Sequence, residues 1–84
     1  MSLISENIIP GDYGKSFVTD AKEDKDLERI KKAILRVEGI KDVEINYGVY
    51  PKEFTVHTSK IVTLKAIENE INAIGFHAVV KSLF

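Results

Sequence analysis

The feature that most constrains the fold of this chain is an apolar spacing that occurs twice. Leu27, Ile30, Ile34 and Val37 recur at helical intervals, and Leu64, Ile67, Ile71 and Ile74 repeat those intervals further along. Each run is followed by a glycine and a large apolar residue, Gly39-Ile40 and Gly75-Phe76. Such a stripe predicts two amphipathic helices, each needing a second layer to cover it. Glu28, Arg29, Lys31, Lys32 and Arg36 fall on the other face of the first helix, and Thr63 offers an N-cap for the second. The spacing predicts that all eight stripe residues are buried. The glycines are expected to end the helices in the left-handed conformation, with Ile40 folding back onto Leu35 and Phe76 reaching toward Ile71.

The segments around the helices alternate with period two. Phe17 and Thr19 alternate with Ser16 and Val18. Val43, Ile45 and Tyr47 alternate with Asp42, Glu44 and Asn46, and Phe54, Val56 and Thr58 repeat the pattern after the Gly48 to Pro51 connection. The second and third strands should therefore form a hairpin, and Phe76 to Lys81 supplies a final strand. Strand, helix, strand, twice over, is the βαββαβ order of the ferredoxin-like fold. It belongs to the α+β class, a four-stranded antiparallel sheet with two helices on one face. Right-handed crossovers put the first and third strands in the centre and the second and fourth at the edges.

Eighty-four residues make one two-layer domain with no room for a second. A 44% hydrophobic content and a net charge of −1 describe an ordinary globular composition, without the clustered basic face of a nucleic-acid binder. The chain has no cysteine, which excludes disulfides, thiolate metal sites and redox motifs. No apolar run is long enough to span a membrane and no secretory signal is evident, so the cytoplasm is the default expectation. Residues 1–14 read either as a loose tail or as an arm whose Ile8 and Ile9 pack on the domain or pair with a sheet edge. The domain proper is placed at 15–84.

From Phe17 to Val80 the residues resemble the heavy-metal-associated domain of copper chaperones, mercury-binding proteins and metal-pumping ATPases. The resemblance lies in Phe-x-Thr-x-Ala of the first strand, Leu27 and Ile30, Glu38-Gly39-Ile40-x-x-Val43, Phe54-Thr55-Val56 and Ala73-Ile74-Gly75-Phe76. It implies that the family's Cys-x-x-Cys falls on Glu23-Asp24-Lys25-Asp26, so that Glu23 and Asp26 stand in place of two soft-metal thiolates. Carboxylates are hard ligands and do not replace thiolates for soft metals. The resemblance further implies a partner-docking face around this loop, here made of Asp20, Glu23, Asp24, Asp26 and Phe76, with Phe76 packed under the loop.

Other chemistry has less support. Asp20, Glu23, Asp24, Asp26 and Glu28 could offer oxygens to Ca²⁺ or Mg²⁺. Asp24-x-Asp26-x-Glu28 does not continue as an EF-hand loop, because Arg29 stands at the glycine position and Leu35 at the closing glutamate. Acids in a first turn also cap a helix and complement its dipole. His57 and His77 are expected on the open sheet face, one strand apart. An acylphosphatase-like phosphate loop would need a glycine-rich stretch with arginine, whereas this loop is acidic. Phe17 and Phe54 face the core, which leaves no stacking platform for RNA. Tyr13, Tyr47 and Tyr50 are read as edge and loop packing.

The sequence therefore predicts a small non-enzymatic binding domain of heavy-metal-associated type, with no cofactor and with soft-metal binding lost. A protein partner is expected, and one that docks on the acidic loop face should be basic. Two alternatives stay open: hard or borderline ions held by the acidic loop from Asp20 to Glu28, and a dimeric regulatory domain that binds a small molecule.

Overall fold

The computed structural model describes residues 8–81. In chain order the elements are β1 (Ile8–Ile9), β2 (Gly14–Thr19), α1 (Asp24–Ile34), β3 (Ile40–Asn46), β4 (Glu53–Thr58), β5 (Val62–Thr63), α2 (Leu64–Ala73) and β6 (Ala78–Val80). The main sheet is antiparallel in the order β3-β4-β2-β6. The expected βαββαβ order and the central position of the first and third principal strands are both present.

The sheet and helices meet because alternate strand residues point the same way. Phe17 and Thr19 on β2 and Phe54, Val56 and Thr58 on β4 are buried, and they share one core with Leu27, Ile30, Ile34, Ile67 and Ile71 from the helices. Phe17 and Phe54 sit opposite each other in register, their rings stacked at 5.3 Å between centroids. Ile8 and Ile9 pair with Thr63 and Val62, and Ile9 is fully buried. That burial is worth about 1.5–3 kcal/mol. The buried Thr58 hydroxyl donates to the Pro10 carbonyl and accepts from the Tyr13 N–H.

Both helix ends show what local chemistry does. Thr63 caps α2 as expected, its hydroxyl accepting the Ala66 N–H at 3.1 Å. Gly75, at φ +92°, closes α2: its N–H reaches the Asn72 carbonyl, and the Phe76 N–H reaches Ile71 at 3.1 Å. The end of α1 departs from the expectation. This helix stops at Ile34, and the next N–H groups tighten into shorter loops, Arg36 to Ala33 and Val37 to Ile34. Val37 therefore lies beyond the helix and is only half-buried, as are Leu64 and Ile74 at the ends of the α2 stripe. Leu35 is 42% exposed, and Ile40 packs on the common core.

Gly39 serves a different purpose from a helix stop. Its φ is +98°, its carbonyl accepts the Ser59 N–H at 2.8 Å, and a Cβ there would lie 2.8 Å from Val62 Cγ2. Gly39→Ala combines a left-handed backbone with a contact too close to keep, so a loss of about 1–3 kcal/mol is expected in chemical denaturation. Gly48→Ala, which meets no atom within 4 Å, is the matched control.

Two strand boundaries also shift. Tyr47 lies outside β3, and β6 begins at Ala78 rather than at Phe76. The residue before β6 is bound differently: the His77 N–H donates to the Asp20 side chain, not to a strand carbonyl.

Candidate functional site

The β2–α1 loop, the β3–β4 hairpin tip and the α2–β6 connection lie at one end of the sheet. Contacts between them fix the site. Thr19 donates its hydroxyl to the His77 carbonyl at 2.7 Å and accepts the Ala21 N–H at 3.3 Å. The Asp20 N–H donates to the same carbonyl at 3.2 Å, while Asp20 Oδ1 accepts the His77 N–H at 2.9 Å. Asp20 is thus a clamp between loop and sheet. Ala21 is buried behind it, and the Thr19 N–H is taken by the Lys52 carbonyl at 3.0 Å.

Helix α1 opens on Glu23, which has an extended backbone and makes no side-chain cap. The expected capping role of the acids is corrected here, since the Glu23 carboxylate turns outward to Lys25 at 3.3 Å. Asp24 and Asp26 in the first turn do face the positive end of the helix dipole. Each acid then finds its own partner. Asp24 pairs with Lys52 Nζ at 3.2 Å, Asp26 lies 4.0 Å from Arg29, and Glu28 accepts the Tyr47 hydroxyl. That hydrogen bond holds the Tyr47 phenol above its usual pKa.

These pairings decide what the loop can bind. Five carboxylates point to five different groups, and among the described residues no three or more His, Cys, Asp or Glu side chains are placed to hold a metal ion. The acidic-loop alternative for Ca²⁺ or Mg²⁺ therefore lacks the convergent oxygens such ions need. Soft ions fit no better, because the chain has no cysteine and the loop supplies only hard donors.

Phe76 is half-buried against the core, with the Arg29 guanidinium 5.6 Å above its ring. This cation–π contact puts Arg29 between Phe76 and Asp26. His57 lies on the open sheet face with Nε2 3.1 Å from Glu44, and His77 is exposed. The structure joins neither histidine to the acidic loop as a ligand set.

The three tyrosines are more exposed than edge and loop packing predicts. At the hairpin tip Tyr50 is 80% exposed and Tyr47, which bonds Glu28, is 46% exposed, and Tyr13 is also half-exposed. Packing does not account for them. The available signal was topological: in this strand order, the hairpin connection opens at the same end as the β2–α1 loop.

No protein-family model matches the chain, and no curated protein matches it. Solved structures do match. The N-terminal domain of a potential copper-translocating P-type ATPase from Bacillus subtilis, in its Cu(I)-loaded state, aligns with a TM-score of 0.71 at 17% identity, covering 82% of this chain and 86% of that one. The N-terminal domain of PacS from Synechocystis PCC6803 aligns at 0.67 with 16% identity, covering 82% and 97%. The first domain of the human copper chaperone for SOD1, Cu(I)-loaded, aligns at 0.66 with 20% identity, covering 84% and 94%. On this geometry the chain has the ferredoxin-like fold of heavy-metal-associated domains, built without a cysteine.

Proposed function

We propose that this chain is a non-enzymatic binding module whose docking face is the loop end of the sheet and whose partner is a basic protein. The observation that carries this reading is the start of α1. Glu23 and Asp26, the positions the resemblance gives to metal-binding thiolates, stand at the N-cap and third residue of the helix as carboxylates. Asp20 and Asp24 are exposed close by in the chain, and the exposed Tyr47 and Tyr50 lie at the β3–β4 hairpin tip at the same end of the sheet, Tyr47 bonded to Glu28. Acidic groups beside exposed aromatic rings suit lysine- and arginine-rich surfaces, which aromatic rings and carboxylates attract together.

The test is a paired capture with the wild type and Glu23→Lys, followed by titration of the captured protein after purification. The partner should be basic, should lose affinity several-fold as salt rises, and should bind Glu23→Lys more weakly. Its footprint in amide chemical shifts should cover residues 20–26 and 47–51. A footprint at the opposite end of the sheet around Asp12, insensitive to salt, would contradict the reading.

A further inference from the structure

The two outer strands of the main sheet are β3 and β6, and they are protected very differently. An outer strand carries a row of backbone N–H and C=O groups open to another strand unless charge or irregularity blocks it. Strand β3 is blocked twice. Lys41, Asp42 and Glu44 are exposed along it, and its register slips between Ile40 and Asp42. Strand β6 is Ala78-Val79-Val80, with no charge in it, and Val79 is 65% exposed.

The hydrogen-bond phase shows which groups of β6 face outward. The Asp20 N–H bonds the His77 carbonyl and the Lys81 N–H bonds the Ser16 carbonyl, so His77, Val79 and Lys81 direct their backbone groups inward to β2. The N–H and C=O of Ala78 and Val80 therefore point away from the sheet. Among the described residues no strand pairs with them. The nearest charge is also withdrawn, since Lys81 Nζ is held 3.1 Å from Glu53 on β4.

We propose that the outer edge of β6 pairs with the same edge of a second copy of this chain, antiparallel about a two-fold axis at Val79, to join the two sheets into one. The pairing is self-complementary. Ala78 of one copy meets Val80 of the other with both backbone groups matched, and the two Val79 side chains lie opposite each other on the open face. Each Val79 is flanked there by Val18, its neighbour on β2, which extends the apolar contact. The guarded β3 edge stops further addition, so the geometry closes at two copies rather than growing into a filament. A three-residue strand buries little surface, which places the dimer in the weak, transient class below about 1,200 Å².

Sedimentation equilibrium of the whole chain across the micromolar to millimolar range tests this, with Val79→Lys and Ala78→Pro alongside. Val79→Lys sets two like charges against each other at the axis. Ala78→Pro removes an outward donor without removing an inward bond. The wild type should dimerise reversibly, and each variant should raise the dissociation constant by at least about tenfold while keeping the wild-type circular dichroism. Exchange protection of the Ala78 and Val80 amides should rise with protein concentration. A wild type that stays monomeric throughout, or a dimer unchanged by Val79→Lys, would overturn the proposal. So would concentration-independent protection of those two amides, which would mean that the chain itself or a different partner covers the edge.

Discussion

Phe54→Ala is expected to destabilise the domain by about 3–5 kcal/mol, the range for deleting a buried phenylalanine. Phe54 is 1% exposed and lies in the centre of the sheet, stacked on the fully buried Phe17 of the neighbouring strand. The helix residues of the common core close over both rings. Removing one ring loses its burial and the stacking contact, and leaves a cavity whose walls are set by two helices and a sheet. In a domain with a total stability of about 5–15 kcal/mol, that is a large share. Urea unfolding should show a lower midpoint with an unchanged slope. Tyr50→Ala, at an 80% exposed position, should shift stability by no more than about 0.5 kcal/mol. A Phe54→Ala loss below about 1 kcal/mol would mean that the core is not organised around this pair.

The fold was legible because its strongest signals are periodic. Leu27, Ile30, Ile34, Ile67 and Ile71 are buried as their spacing requires, and Phe17, Phe54, Val56 and Thr58 face the same core. Spacing failed where a helix ends, because periodicity does not record the turn at which hydrogen bonding changes. Val37 continues the apolar stripe of α1 in sequence but follows the tightened turn after Ile34 in space. Gly39 likewise resembles a helix stop in sequence. Its positive φ and its approach to Val62 depend on a strand more than twenty residues away, which no local pattern contains.

Less of the candidate site was legible. The position of Glu23 at the helix start followed from the resemblance, yet its side chain does not cap the helix. Asp20 looked like one acid among five. Only the return of the chain at His77 shows it to be a clamp, holding the loop to the segment before β6. Exposure of Tyr47 and Tyr50 was hidden for a similar reason, since an aromatic residue in a loop carries no sequence mark that separates packing from display.

The chain has the fold of heavy-metal-associated domains and no cysteine, and the resemblance puts Glu23 and Asp26 where that family carries its soft donors. Restoring them is the second large-effect prediction and the most direct test. Glu23 and Asp26 occupy the N-cap and third positions of α1, with the Asp26 N–H bonded to the Glu23 carbonyl at 3.0 Å. Side chains at these two positions can reach each other, as they do in a capping box. In Glu23→Cys, Asp26→Cys, the helix N–H groups and dipole would favour thiolate over thiol. Asp20 and Glu28 oppose that ionisation, and Asp24 does so less because Lys52 lies against it. The measurement is a titration of wild type and double variant with Cu(I) and Zn²⁺ under reducing, anaerobic conditions, with the fold of each checked by amide spectra. The account predicts one soft ion per chain in the double variant, held more weakly than beside a neutral loop, and none held with useful affinity by the wild type. A natively folded double variant that takes up no soft ion, or a wild type that binds one as tightly as the variant, would contradict it.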